Sequence, residues 1–253
     1  MRIHGVSFSI ARHAAWAPGL PTPQAWDDWA RSPFTITGTA EPGVQAMAPM
    51  LRRRAGALGK MALEVAYQCL DGRTGIPTVF CSRHGEVARA VDLLGALARG
   101  EPLSPTAFGM AVHNATAGLF SIARADRANH VALAAGASTI EHAVIEACGL
   151  LADGAAMVLL VACDTPLPAP FCAFEDCTEQ AHAWAWLMVA PGADPITLDW
   201  SPAPGSGSGS GSDPAPGSDL VPGGLAVLRF QLGGAAQLER VADRRRWRWS
   251  RHA

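Results

Sequence analysis

The spacing of hydrophobic and polar residues predicts strands that alternate with helices over most of the chain. The predicted strands are 3–11, 76–81, 130–135, 156–162, 183–190 and 196–200, and the predicted helices are 49–70, 86–98, 114–125 and 139–152. The central strands are continuously apolar, and helices of ten or more residues separate them. Such strands are typical of a sheet that is covered on both faces. The pattern therefore predicts an α/β fold in which helices cover a mixed sheet.

Three stretches interrupt this pattern. Residues 16–34 are rich in proline and aromatic residues, which indicates irregular chain whose aromatic side chains fill the core. Those aromatic residues are Trp16, Trp26, Trp29 and Phe34. Residues 104–112 form a connector that leads into the next helix. The turn at 191–195 indicates that the last two predicted strands pair as a hairpin.

A change in composition near residue 200 divides the chain. We expect a domain over 1–200, a flexible Gly/Ser/Pro linker over 201–219 and a C-terminal segment over 220–253. Within that segment, 220–232 is apolar enough for one helix, and 244–249 is a basic, aromatic tail.

Charge and cysteine usage narrow the classes of function. The net charge is −2, with 20 basic and 22 acidic residues, so no global field indicates nucleic acid as the partner. The six cysteines are scattered and form no disulfide framework, which indicates reduced thiols in a cytoplasm. Arg12 and His13 interrupt the apolar run near the N-terminus, so no signal peptide is expected. The longest apolar run, 155–163, is too short for a membrane span, and we expect a soluble protein.

The central motif starts at His113-Asn114-Ala115-Thr116-Ala117-Gly118 and continues at Ala134-Ala135-Gly136-Ala137-Ser138. A helix and an apolar strand that ends near Asp164 follow it. This arrangement resembles the nucleophile region of β-ketoacyl synthases, the condensing enzymes of the thiolase superfamily. The resemblance runs from the start of the chain to about residue 200, which implies the N-terminal half of a thiolase-like fold. It is specific between about 105 and 165.

The chain departs from that family at the reactive position. The resemblance implies a catalytic cysteine at a strand-to-helix elbow, where the helix N-terminus favours thiolate and backbone N–H groups stabilise an oxyanion. Gly136 stands at this position. Cys148 and Cys163 are placed too far away to replace it, and His252 is the one histidine beyond residue 190. We therefore predict that the chain has no catalytic residue of its own and does not perform the condensation, and we expect no cofactor and no metal.

Within the superfamily, a relative without the nucleophile resembles a chain-length factor, the inactive partner of an active ketosynthase. The Asn-Ala-x-Ala-Gly motif and the Trp-x-Trp near the C-terminus resemble those of the chain-length factors in bacterial aryl polyene and xanthomonadin-type pigment pathways. The resemblance implies a heterodimer with a β-ketoacyl synthase, an acyl chain held on an acyl carrier protein, and a subunit that shapes the acyl tunnel. The tunnel and interface candidates are Ala107, Phe108, Gly109, Met110, Val112, His113 and Asn114. Core packing is the alternative for Phe108 and Met110.

Two arginine clusters are candidates for docking the acidic carrier protein. The clusters are Arg52, Arg53 and Arg54, and Arg244, Arg245 and Arg246 with Arg248. A solvated basic face is the alternative interpretation.

Two other constellations carry weaker hypotheses. His113, Ser138 and Asp164 come near strand ends and could form a hydrolase triad, which would make the chain a stand-alone acyltransferase or hydrolase. The glycine pattern of a nucleophile elbow with serine is incomplete, so a structural hydrogen bond of His113 is favoured. A separate set, Cys172, Cys177 and His182, is spaced by five residues but lacks a close pair of ligands, which favours free thiols in a loop.

Overall fold

The structure is a computed structural model that describes residues 4–203 and 221–251. The strands are β1 (His4–Trp16), β2 (Thr78–Cys81), β3 (His130–Leu133), β4 (Val158–Asp164), β5 (His182–Val189), β6 (Ile196–Pro202), β7 (Gln237–Ala242) and β8 (Arg245–Arg251). The helices are α1 (Pro23–Arg31), α2 (Pro49–Arg52), α3 (Ala57–Leu70), α4 (Val87–Ala98), α5 (Pro105–Gly109), α6 (Ala115–Arg124), α7 (Thr139–Ala152) and α8 (Gly223–Gly233). Two 3₁₀ turns, Gly136–Ser138 and Ala169–Phe174, complete the described elements.

These strands form one mixed sheet in the order β3-β2-β4-β5-β1-β6-β8-β7. The pairs β2 with β3 and β2 with β4 are parallel, and every other described pair is antiparallel. Parallel neighbours require long crossovers, which the helices between β2, β3 and β4 supply. The expected α/β architecture with a mixed sheet is confirmed.

Apolar cores lie on both faces of the sheet. Adjacent residues of a strand point to opposite faces, and both Leu159 and Leu160 of β4 are fully buried, in different cores. Leu160 packs in the core that contains α7 and α8, while Leu159 packs in the core that contains α3 and α6. The continuously apolar pattern of β4 follows directly from this double burial.

The proline- and tryptophan-rich stretch contains a helix, so the expectation of irregular chain there is wrong. The side chain of Thr22 accepts a hydrogen bond from the Ala25 N–H, and Pro23 occupies the first turn of α1, where its missing N–H costs nothing. Trp26 and Trp29 are buried in the core as expected, whereas Phe34 is exposed.

Two other helical boundaries differ from the prediction. The helix predicted over 49–70 is broken into α2 and α3, because Gly56 is extended and starts a new helix. The connector at 104–112 contains the short helix α5. Ser104 caps the N-terminus of this helix, because its side-chain oxygen accepts a hydrogen bond from the Ala107 N–H.

The predicted hairpin between β5 and β6 is wrong, because β1 lies between these two strands. Residues 4–8 of β1 pair with β6, and residues 9–16 pair with β5. A strand of 13 residues is long enough to serve both neighbours. Sequence proximity of β5 and β6 therefore does not translate into pairing.

The C-terminal segment completes the sheet. The helix expected over 220–232 is present as α8, with Leu225, Val227 and Leu228 fully buried. The basic tail is strand β8, which pairs with β6 and β7. The first two residues of the expected linker, 201 and 202, end β6, and 204–219 of it lie outside the described residues. No helix within the described residues is long and apolar enough to cross a membrane.

Candidate functional site

The elbow between β3 and α7 is formed by Gly136, Ala137 and Ser138. Gly136 has φ of +58°, a conformation that side-chain-bearing residues adopt at a cost of order 1–3 kcal/mol. The 3₁₀ turn that it starts leads directly into α7. The expected strand, turn and helix are therefore present, and Gly136 contributes no side chain to the elbow.

The turn between β7 and β8 contacts this elbow. The Ser138 N–H donates to Asp243 Oδ2 over 2.8 Å, and the Ser138 hydroxyl donates to the same oxygen over 2.5 Å. A Cβ added to Gly136 would lie 3.3 Å from Asp243 Oδ1. A carboxylate of this chain thus occupies the space beside the elbow.

A buried ion pair anchors the same hairpin to the start of α7. Arg240 of β7 pairs with the carboxylate of Glu141, whose side chain is fully buried. Arg240 also donates from Nη2 to the Ala137 carbonyl over 3.1 Å. Because charges this deeply buried are stable only when paired and hydrogen-bonded, the hairpin and α7 constrain each other.

Asp164, at the end of β4, is held by the loop after β2. Its Oδ1 accepts hydrogen bonds from the Ser82 hydroxyl over 2.9 Å and from the Arg83 N–H over 2.8 Å. Burial raises the pKa of the Asp164 carboxyl, although these hydrogen bonds and the nearby His182 act in the opposite direction. Burial also lowers the pKa of His182, the residue opposite Asp164 in the β4–β5 pairing.

A cavity of about 610 Å³ connects the elbow with the end of β4. Its wall includes Gly136, Asp164 and Asp243, together with two thiols, Cys81 and Cys177. Burial raises the pKa of Cys177 to about 11 and that of Cys81 well above the ordinary value. Burial therefore disfavours the thiolate, the nucleophilic form, in both cysteines.

Burial also disfavours the thiolate in three of the other four cysteines, Cys69, Cys148 and Cys163. Burial raises the pKa of Cys148 to about 12, and Cys163 is fully buried with a pKa raised well above the ordinary value. Cys172 is exposed on the 3₁₀ turn, while His182 is buried and bonded through Nδ1 to the Gln180 carbonyl. Within residues 4–203 and 221–251, no three side chains are grouped as a metal site.

The triad hypothesis is wrong, because the three side chains have separate partners. His113 Nε2 donates to the Leu133 carbonyl over 3.0 Å, as the favoured interpretation expected. Asp164 is bound to Ser82 and Arg83.

Ser138 itself is not built as a nucleophile. Its side chain is fully buried and donates to Asp243. The neighbouring His142 has Nδ1 3.0 Å from the Ser138 carbonyl and 3.2 Å from the Ser138 hydroxyl, and with a proton on Nδ1 it donates to the carbonyl.

The tunnel and interface candidates lie on or near the surface, between α4 and β3. Phe108 is 64% exposed and Val112 is 44% exposed, so core packing is wrong for Phe108. Met110 is partly buried and packs against the core under α3. Ala107, Gly109 and Asn114 also belong to this surface segment, and His113 connects it to β3 through Leu133.

Exposed apolar side chains continue from this segment along α4, where Leu94 is 58% and Leu97 is 59% exposed. Strand β3 forms one end of the sheet and pairs only with β2 among the described strands. We call β3 together with Leu94, Leu97, Phe108 and Val112 the edge surface.

The arginine candidates differ in their freedom. Arg52 donates to the carbonyls of Gly43 and Val44 and to the Gln45 side chain, so it holds a loop in place. The remaining members of the first cluster, Arg53 and Arg54, are exposed. In the second cluster, Arg244 and Arg245 are exposed, Arg246 is half-buried, and Arg248 pairs with Glu239.

Comparisons with known proteins agree with this geometry. Residues 26–250 match the family model described as the N-terminal domain of β-ketoacyl synthases. No curated protein matches the chain. The structure is similar to a ketosynthase (ApeO) in complex with its chain length factor (ApeC) from Xenorhabdus doucetiae, with 23% identity, coverage of 97% of this chain and 99% of that chain, and a TM-score of 0.81.

Two further solved structures share the fold at lower similarity. The ishigamide ketosynthase/chain length factor has 15% identity and a TM-score of 0.60, with coverage of 79% of this chain and 68% of that chain. A type II polyketide synthase acyl-carrier protein in complex with its ketosynthase has 14% identity and a TM-score of 0.60, with coverage of 80% and 70%.

The architecture is that of a thiolase-like fold, with Gly136 at the elbow between β3 and α7. The chain belongs to the β-ketoacyl synthase N-terminal domain family. The family match extends to residue 250, beyond the limit near residue 200 that the motif resemblance indicated, and so includes the C-terminal hairpin.

Proposed function

We propose that this chain is the non-catalytic, chain-length-factor-like subunit of a β-ketoacyl synthase heterodimer. The observation that carries the proposal is Gly136: the elbow of the family is intact around a residue that cannot form a thioester. Burial disfavours the thiolate form of the two cavity cysteines, which supports the absence of a replacement nucleophile. Since this scaffold cannot hold the substrate covalently, its role would be to complete the active site of a catalytic partner.

The edge surface supports the existence of that partner. A sheet edge presents unpaired backbone groups, and a contiguous exposed apolar patch is uncommon on a monomer. Helices α4 and α5 are in contact, and His113, which follows α5 along the chain, bonds to the Leu133 carbonyl of β3. A ketosynthase that binds here would bring residues 107–114 to its own acyl tunnel, with Phe108 as the gating side chain.

The carrier protein would approach over the free arginines of the two clusters. Carrier proteins are acidic, and Arg53, Arg54, Arg244 and Arg245 are exposed. By the motif resemblance, the acyl product would be of the aryl polyene or xanthomonadin type. Both assignments are part of the same proposal.

Co-expression with a ketosynthase tests the heterodimer. We expect the two chains to co-purify and the pair, but neither chain alone, to elongate acyl groups on a carrier protein. The isolated chain incubated with acyl-carrier substrate should show no covalent acyl group by intact-mass measurement. Covalent loading, or full ketosynthase activity without this chain, would contradict the proposal.

A Phe108→Ala variant tests the tunnel role. Because Phe108 is exposed, its truncation should leave folding intact and shift the length of the products made by the pair. Phe174→Ala is the matched control, since Phe174 is 68% exposed and lies on the second 3₁₀ turn, outside the edge surface. An unchanged product distribution for Phe108→Ala would count against gating.

A further inference from the structure

The β7–β8 turn brings a negative charge to the start of α7. Asp243 and Arg244 both have positive φ, +50° and +59°, which is the conformation of a two-residue hairpin turn. The N-terminal N–H groups of a helix have no intrahelical acceptor, and the helix dipole favours an anion there. Asp243 Oδ2 accepts both the N–H and the hydroxyl of Ser138, which immediately precedes α7.

The carboxylate is held in this position by more than its own hydrogen bonds. Arg240, three residues earlier on β7, pairs with the fully buried Glu141 and donates to the Ala137 carbonyl. Trp247, two residues into β8, is buried against the ring of His142 on α7, with 5.2 Å between ring centroids. The hairpin therefore cannot withdraw Asp243 without breaking buried contacts.

The space at Gly136 is matched to this carboxylate. A Cβ on Gly136 would approach Asp243 Oδ1 to 3.3 Å, and any longer side chain would compete with the carboxylate for the same region. A negatively charged oxygen of a ligand would meet both the occupied donors of Ser138 and a like charge.

We infer that Asp243 is an internal anion that occupies the anion-binding position of the elbow. The elbow is then blocked twice, by the missing nucleophile and by a carboxylate in the place that would stabilise a thiolate or an oxyanion. Restoring a cysteine alone is not enough to restore reactivity. This second block depends on contacts within the chain and is independent of which partner the protein binds.

The reactivity of a cysteine introduced at the elbow measures the block. The Gly136→Cys variant is made in a background with Cys172→Ser and Cys177→Ser, because these two are the accessible native thiols. Asp243 is then changed in two ways. Asp243→Asn removes the charge and keeps the shape, and Asp243→Gly removes the side chain, while both residues tolerate the positive φ of the turn.

The rate of alkylation by iodoacetamide at pH 7 is the readout. We expect slow modification with Asp243 present and a rate at least about tenfold higher with Asp243→Asn, since a like charge at this range shifts a pKa by about one unit or more. Asp243→Gly should be as fast or faster. Glu239→Gln is the matched control, because it removes an exposed carboxylate from the same hairpin and should leave the rate unchanged. Equal rates in the presence and absence of the Asp243 carboxylate would overturn the inference.

A second measurement keeps the test valid if the introduced cysteine prevents folding. In the native Gly136 background, Asp243→Gly should create a vacant anion site, so malonate at constant ionic strength should raise its Tm. The unaltered protein should show no such rise. A malonate response that is the same in both proteins would equally overturn the inference.

Discussion

The elbow and the edge surface differ in whether their side chains have partners within the chain. At the elbow, Ser138 bonds to Asp243, and Arg240 bonds to Glu141 and to the Ala137 carbonyl, all within the chain. On the edge surface, Leu94, Leu97 and Phe108 remain exposed beside a strand that has one described neighbour. Hydrogen-bonded polar groups contribute to the stability of the fold, whereas exposed apolar groups contribute favourable free energy only when another molecule covers them.

This difference between the two regions supports the proposal that the chain acts by binding a partner. A working catalytic site keeps reactive groups accessible and poised, with shifted pKa values that serve the reaction. Here the cavity thiols have raised pKa values, and the start of α7 is occupied by Asp243. Under the proposed function, the edge surface is the part of the molecule that binds the partner.

The largest effect is expected where the C-terminal hairpin closes the elbow side of the molecule. Trp249 of β8 is fully buried against Trp186 and Phe230. Trp249→Ala should reduce the free energy of unfolding by about 3–5 kcal/mol, because it removes a large buried side chain and leaves a cavity. Chemical denaturation measures the loss. Val241→Ala, at an exposed position of the same hairpin, should cost less than about 0.5 kcal/mol. Equal small losses would mean that the hairpin is not part of the cooperative core.

The second effect concerns the edge surface. Replacing Leu94 and Leu97 together by glutamate should weaken binding of the ketosynthase by about 2 kcal/mol, or roughly thirtyfold, since truncated anchors of an interface cost this much. Stability of the isolated chain should be unchanged, because α4 contains no buried residue. Met50→Glu, 77% exposed on α2, is the control. Binding that survives the double substitution would place the partner elsewhere.

The sequence was sufficient for the parts of the molecule that depend on local pattern. Strands β2, β3 and β4 are apolar runs separated by helices, and the elbow is one short motif around Gly136. Both could be predicted from neighbouring residues. The insertion of β1 between β5 and β6 could not, because strand order depends on pairings between residues up to 196 positions apart.

The contact of Asp243 with Ser138 escaped prediction for a related reason. It joins residues 105 positions apart, through a hairpin whose second strand lies in the arginine-rich tail. Arginine and tryptophan alternate in β8, with Trp247 and Trp249 on the buried face. This period of two indicates a strand, but the run of arginines also fits a basic docking tail, for which these arginines are candidates.

A smaller effect is the response of stability to pH near the end of β4. Burial lowers the pKa of His182, so the unfolded chain binds a proton at a higher pH than the folded chain. Stability is therefore fully present above the ordinary histidine value of about 6.5 and should decline as pH falls through the window below it. His182→Gln should flatten this decline in urea denaturation curves measured between about pH 7 and pH 5. His13, whose pKa burial also lowers, should retain part of the slope. An unchanged slope in His182→Gln would show that His182 does not contribute.

The smallest effect tests the arginines of the β7–β8 hairpin, of which Arg244 and Arg245 are exposed and Arg246 is half-buried. Changing Arg244, Arg245 and Arg246 to glutamine should weaken binding of the acyl carrier protein by a few-fold to about tenfold, since each exposed charge contributes about 0.2–1 kcal/mol. The effect should diminish with added salt, because screening removes the attraction that the substitution removes. Changing Arg12, Arg31 and Arg127 to glutamine removes the same net charge at other exposed positions and should have little effect. If both triple variants weaken binding equally, net charge alone explains the attraction, and the turn beside Asp243 is not a docking surface.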